Sequence, residues 1–405
     1  MQPKYGLPDK VAFCTRCTMS NMRPASEIEF QHNINTQKKT LHIDEEGVCD
    51  ACRATERKKE VIDWEIRDKQ LRRLCDRHRR TDGRFDCLVP GSGGKDSFYA
   101  AWMLKYKYGM NPLTCTWAPN IYTEWGWRNF QRWIHAGFTN HLHTPNGLVH
   151  RKLTRLAVDN ILHPFQPFIL GQKNLAPRVA LEQDIKLVFY GESEAEYGSP
   201  ISEMGSAKRD YKYFAMSSQD SVYLGGVSVK ELKEKYGFTD CDIAPYLPSN
   251  PDKLDDAGVQ VFYLGYYVPW APQQNYYHAV EHGGFEPSPE RTPGTYSKYS
   301  SIDDAIDDWH YFTTYIKFGI GRATYDSAQE IRNNELTREE GVSLVRRYDG
   351  EYPIRFEQRC LDYINVDGFK PYNRETFMAH CDKFRSENLW KKEGDLWSLR
   401  HKIWE

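Results

Sequence analysis

"FDCLVPGSGGKDSFYA", residues 85–100, decides how the rest of the chain is read. Residues 85–89 form a short apolar run, the pattern of a buried strand. Gly91, Gly93 and Gly94 then let the backbone approach a ligand closely, and a helical pattern opens near Ser97. Strand, glycine loop and helix in that order form an anion site, because consecutive N–H groups and the positive end of the helix dipole point the same way. Lys95 adds a cation, and Ser92 and Ser97 add hydroxyl donors. Two familiar phosphate loops are excluded. GxxxxGK[ST] fails because the residue five before Gly94 is Val89 and because Asp96 follows Lys95. GxGxxG fails because Asp96 stands where its third glycine belongs. A carboxylate beside a phosphate repels it unless a cation lies between, so Asp96 is a candidate Mg²⁺ ligand.

Working outward, helical patterns at 97–107, 128–137, 150–161 and 173–184 alternate with strand patterns at 112–118, 140–144 and 185–191. That alternation predicts an α/β fold, a parallel sheet covered on both faces with the loop at its carboxyl edge. Upstream, residues 53–80 are densely charged and amphipathic, one or two helices whose charges read as solvated. Beyond about 210 the pattern is mostly helical, clearest at 304–321, 337–350 and 374–386. "TREE" at 337–340 has the form of a capping box. The expected division is a four-Cys zinc-binding module at 1–55, a helical linker at 56–84, a nucleotide-binding domain at 85–240 and a mostly helical C-terminal region at 241–405 that contacts substrate or partner.

The 405 residues carry a net charge of −2, which does not favour a nucleic-acid partner, although Arg67 to Arg80 is locally basic. No run of about 18 apolar residues is present, so no membrane span is predicted. The first residues lack an apolar signal region, and the expected compartment is the cytoplasm. The ten cysteines are then thiols or metal ligands rather than disulfides. Cys14-x-x-Cys17 and Cys49-x-x-Cys52, with 31 residues between the pairs, have the spacing of a closed four-thiolate zinc site. An iron–sulfur cluster takes the same ligands and is the alternative. The other six cysteines read as small buried hydrophobes.

At "SGGKDS" (92–97) the chain resembles the PP-loop ATP pyrophosphatases, the adenine nucleotide alpha hydrolase-like fold. That superfamily grips the pyrophosphate end of ATP and transfers AMP to a substrate oxygen. Segments 113–138, 163–181, 187–198 and 315–341 further resemble the N-acetyl sugar amidotransferases of surface-polysaccharide assembly, WbpG-like and pseudaminic acid amidotransferase-like. The resemblance implies ATP-dependent, AMP-forming conversion of a sugar N-acetyl group to an acetamidino group, in O-antigen or nonulosonic acid biosynthesis. The amide oxygen is adenylated, and ammonia displaces AMP. It implies Lys95 on the phosphates, Asp96 on Mg²⁺, and Trp117 and Ala118 near adenine. Glu192, Glu194 and Glu196, after the fourth strand, are candidates to handle Mg²⁺ or ammonia, with Glu192 and Glu196 taken as catalytic. His163, Gln166, Gln172, Lys173, Lys317 and Arg322 are candidate substrate contacts. The sugar stays open between a UDP-linked diacetamido uronic acid and a nonulosonic acid.

Gln2 stands where an N-terminal nucleophile glutaminase needs Cys, and no Cys has a nucleophile-elbow context. Ammonia is therefore expected from a partner, by the resemblance a glutaminase and cyclase-like pair of the HisH/HisF type. One rival is a PP-loop tRNA-thiolating enzyme, which needs a sulfur-carrying Cys at the site and a basic RNA face. A second is "HAVEH" (278–282), the inverzincin pattern, but Gly283 and Gly284 end any helix there, and His278 is expected in a loop or facing substrate. A non-catalytic scaffold has no use for an intact loop.

Overall fold

The computed structural model describes residues 3–25, 28–191 and 206–405. Its centre is a five-stranded parallel sheet of order β3-β2-β1-β4-β7, with β1 (Cys87–Pro90), β2 (Pro112–Trp117), β3 (Thr139–His143), β4 (Leu187–Tyr190) and β7 (Gln260–Tyr263). Two short antiparallel hairpins, β5–β6 (Tyr223–Leu224 with Val227–Ser228) and β8–β9 (Trp390–Glu393 with Leu396–Leu399), lie outside it. The register pairs Leu88 with Leu113 on one side and with Val188 on the other, and Val188 with Val261. The central strands are apolar throughout because both faces are covered. Leu88, Leu113, Val188 and Val261 join one core cluster, whereas their neighbours Cys87, Val89, Leu187, Phe189 and Phe262 join the other. This is the period-two alternation of a strand.

The chain steps from β1 to β2 on one side, while β4 lies on the other. The loop after β1 therefore sits where the strand order reverses, the usual ligand crevice of open α/β sheets. The charged stretch before it forms two helices, α1 (Asp50–Glu60) and α2 (Trp64–His78). They break at Asp63, whose carboxylate caps α2 by accepting from the N–H groups of Glu65 and Ile66 at 2.9 and 3.0 Å. The charges of α2 face outward, but Leu71, Leu74 and Cys75 are buried against the sheet.

Around the sheet lie α3 (Lys95–Trp102), α4 (Glu124–His135), α5 (Gly147–Ile161) and α6 (Gln166–Glu182). α4 and α6 begin earlier than their patterns suggested. Thr123 caps α4 through its hydroxyl, and Pro167 fits the first turn of α6, where its missing N–H has no partner to lose. α7 (Val229–Tyr236), α8 (Asp240–Ile243) and α9 (Pro251–Asp256) lead to β7, and α10 (Pro272–Gly283) packs on α3. The parallel sheet thus draws its fifth strand from beyond residue 240. Of the two places expected for His278, a loop or a position facing substrate, the first is excluded: it lies on α10, its ring 4.4 Å from that of Trp102.

The remaining helices are α11 (Asp307–Phe318), α12 (Arg322–Arg332), α13 (Arg338–Tyr348), α14 (Glu357–Ile364) and α15 (Arg374–Asp382). The Thr337–Glu340 capping box forms, with Thr337 Oγ1 accepting from the Glu340 N–H at 3.2 Å and Glu340 accepting from the Thr337 N–H at 2.9 Å. Trp309, Phe312, Leu361, Ile364 and Phe377 form a core cluster that also takes in Val158 of α5 and Leu162 after it. The N-terminal module docks onto this helical region. Thr18 and Ser327 hydroxyls meet at 2.9 Å, and Arg338 donates to the Cys14 carbonyl at 3.2 Å. Leu7 and Met22 share a cluster with Phe318, Leu389, Trp390 and Leu399.

Candidate functional site

A cavity of about 670 Å³ opens at the carboxyl edge of the sheet. One wall is the loop and helix start: Pro90, Gly91, Ser92, Gly94, Lys95, Asp96 and Ser97. Its shape depends on close approach. A Cβ on Gly91 would lie 2.1 Å from that of Ser97, and one on Gly93, where φ is +85°, would lie 2.8 Å from the Phe130 backbone. Gly94 is the N-cap of α3, so Lys95 and Asp96 sit in its first turn beside the helix N–H groups. The Lys95 ammonium pairs with Asp96 Oδ2, and Asn275 Nδ2, from α10, donates to Asp96 Oδ1 at 2.9 Å. Ser97 Oγ donates to the Gly94 carbonyl at 3.0 Å. Lys95 and Asp96 thus share the cavity wall. Asp96 presents a carboxylate held on one oxygen by Lys95 and on the other by Asn275.

Of the candidate substrate contacts, His163, Gln172, Lys173, Lys317 and Arg322 line the same cavity. Gln166 does not. It is fully buried, donating to the Glu29 carbonyl at 3.2 Å and accepting from the Gly225 N–H at 2.9 Å, and it ties loops together. Trp117 and Ala118 are likewise absent from the cavity wall. Trp117 is buried on the interior strand β2, stacked on His143 at 4.7 Å and pressed against Gly171 of α6. Glu192, Glu194 and Glu196 lie outside the described residues. Arg322 pairs with Asp326 at 2.9 Å. Lys317 is buried and donates to the Ile161 carbonyl at 2.8 Å, and burial pushes its ammonium down to about 7. Glu330 also faces the cavity. It accepts from the Tyr296 hydroxyl at 2.6 Å, and burial raises its carboxyl to about 7.

Sequence reasoning missed Glu29, His32, Asn275, Tyr299 and Glu330. Glu29 and His32 lie on a three-residue turn and its cap, and Asn275 and Tyr299 follow β7, the last strand of the parallel sheet, where no periodicity marks a site. The only available signal was "EFQH" at 29–32, a carboxylate and an imidazole three residues apart.

A second centre lies in the N-terminal module. The sulfurs of Cys14 and Cys52 are 3.9 Å apart and those of Cys17 and Cys49 3.7 Å, and all four lie within 4.8 Å of one another, buried. A tetrahedral ion with bonds of about 2.3 Å holds its sulfurs roughly 3.8 Å apart, so the four thiolates fit a single metal ion. N–H groups of Arg16 and Cys49 donate to Cys14 Sγ at 3.4 Å, and that of Met19 to Cys17 Sγ at 3.5 Å. Such bonds delocalise thiolate charge and orient the ligands.

No helix among the described residues is long and apolar enough to cross a membrane. No curated protein matches the chain. Among solved structures, the U34-tRNA thiolase NcsA from Methanococcus maripaludis, which carries a 4Fe-4S cluster, is similar over 89% of this chain and 92% of its own, at 12% identity and a TM-score of 0.28. Residues 293–403, which supply Tyr299, His310, Lys317, Arg322 and Glu330 to the cavity, match the family model described as LPS biosynthesis protein WbpG-like, C-terminal domain.

Proposed function

We propose that the protein is an ATP-dependent, AMP-forming amidotransferase that converts the N-acetyl group of a sugar to an acetamidino group. One observation carries this reading. The glycine loop and the segment that matches the WbpG-like model form two sides of one cavity. An anion-binding loop activates something with a nucleotide, and the facing wall offers what an acetamido sugar needs: aromatic rings, hydroxyl-bonding carboxylates and cations.

An amide oxygen is a poor leaving group. In this reading it attacks the α-phosphorus of ATP, pyrophosphate leaves, and an O-adenylated imidate forms. The loop N–H groups, the start of α3 and Lys95 stabilise negative charge on the departing pyrophosphate. Bound at Asp96, Mg²⁺ would supply further neutralisation. Asn275 holds Asp96 in place. Ammonia then adds to the imidate carbon, a proton is lost, and AMP leaves to give the amidine. Glu330, with its raised carboxyl, is suited to take that proton.

No cysteine lines the cavity among the described residues, which favours oxygen activation and ammonia over sulfur transfer. We assign zinc to the four thiolates, because their spacing suits one ion, whereas a four-iron cube pushes its ligand sulfurs further apart. Ammonia would come from a separate glutaminase and cyclase-like pair, the sugar would be UDP-linked or a nonulosonic acid, and the setting would be cytoplasmic surface-polysaccharide assembly.

The test is to incubate the purified chain with ATP, Mg²⁺, ammonium chloride and candidate N-acetyl sugars. The expected products are AMP and pyrophosphate in equal amounts and a sugar about one mass unit lighter, oxygen having been replaced by NH. Glutamine in place of ammonium should give no product. Release of ADP, or AMP formation with sugars never modified, would overturn the reading.

A further inference from the structure

We infer that Glu29, His32 and His163 form a second metal site, for one divalent transition ion of the zinc or iron(II) type, with an open position facing the cavity. The three side chains come from two distant segments. Glu29 opens a 3₁₀ turn and His32 caps it, and in that geometry side chains three apart eclipse one another. His163 follows the C-cap of α5, where Leu162 takes φ +45° and turns the chain back toward the turn.

Glu29 Oε2 lies 3.4 Å from His32 Nδ1 and 3.8 Å from His163 Nε2, and the ligand atoms of all three fall within 4.8 Å of one another. Bonds of about 2.0–2.2 Å to such donors place neighbouring ligand atoms roughly 3.4 Å apart, so small side-chain movements complete the set. All three residues are buried, yet all three border the cavity. Protein donors thus stand on one side of the ion position and the open cavity on the other. Two imidazoles and one carboxylate with open positions are a donor set that suits zinc and iron(II) and disfavours Mg²⁺.

A second observation points the same way. The His310 ring stacks on His163 at 5.0 Å and 21°, and its Nδ1 is buried without a hydrogen-bond partner. It packs against the His163 ring and leaves an unpartnered nitrogen in the same region. Lys38 and Lys317 bring positive charge to the same region, and they are the natural competitors for the Glu29 carboxylate. Lys317, however, already donates to the Ile161 carbonyl. An ion here would coordinate an oxygen of the molecule that fills the cavity opposite the phosphate loop.

Metal binding tests this without any assay of activity. The full chain, stripped by chelation, is titrated with Co²⁺. Two equivalents should bind. The four-thiolate site should bring intense sulfur-to-cobalt charge-transfer absorption, and the other equivalent only weak ligand-field bands. Glu29→Gln and His32→Ala should each lose one of the two equivalents and keep the charge-transfer bands, which also report that the module has folded. X-ray absorption on zinc-loaded wild-type protein needs no substitution and should show a mixed shell of sulfur and nitrogen or oxygen. A single equivalent, an all-sulfur shell, or a second equivalent untouched by both substitutions would overturn the inference.

Discussion

The two walls of the cavity are held by opposite means. The loop wall is shaped by backbone, with glycines in close contact behind it and charged groups presented to the open space. The facing wall is built from ionisable side chains that are themselves buried, Lys317, His163 and Glu29 among them. On the first wall the charge of Lys95, itself only 11% exposed, is matched by the adjoining Asp96 carboxylate, 26% exposed, so the pair carries its own compensation. On the second, each functional group is also a term in the folding free energy, because a buried charge must be compensated or neutralised.

The largest effect is expected from Lys95→Ala. AMP formation should fall about 10²–10³-fold, the usual consequence of removing one preorganised charge from a phosphate site, with little change in melting temperature. A large loss of stability with unchanged rate would break the contrast. Gly91→Ala should act on both properties, because a Cβ there collides with Ser97. We expect about 1–3 kcal/mol of destabilisation and a weakened grip on ATP, read by denaturant unfolding and by KM for ATP. A variant as stable and as active as the wild type would mean that the loop and α3 are not rigidly joined.

The smallest effect concerns Lys317. Its folded-state pKa is lowered to about 7 from the ordinary 10.5. A buried lysine of this kind is a penalty carried in full below about pH 7, relieved as pH rises from 7 toward 10.5 and absent above that. Lys317→Met should therefore raise the melting temperature by a few degrees at pH 6, change it little at pH 10 and flatten the slope between. An unchanged slope would place the titration elsewhere.

The loop wall could be read from the chain because its constraints are local. Strand, glycines, Lys95 and Asp96 are consecutive, and so is each cysteine pair. The alternation of strands and helices made the parallel sheet legible for the same reason. The facing wall was not legible as a unit. Glu29, His163, His310 and Lys317 are brought together only by tertiary packing, so their types were visible but their company was not. Trp117 shows the converse error. A tryptophan at the end of a strand suggests a nucleotide platform, but β2 is covered on both faces and the ring is core. Gln166 was similarly drawn into loop bonding by the first turn of α6. β7 escaped notice because "QVFY" is a short apolar run with no marker of its own.

The docking of the N-terminal module on the C-terminal region has a consequence for synthesis. Lys4 is bonded to Lys383 and Ser386, Tyr5 to Phe384, and Asn388 to Pro8. These contacts span nearly the whole chain, and contacts between distant residues form late. Residues 4–8 are therefore made long before the partners they finally meet. Until residues 389–399 emerge, the core that Leu7 and Met22 share with Phe318 and Ile320 is incomplete. A metal held early by the cysteine pairs would keep that waiting segment compact while translation finishes.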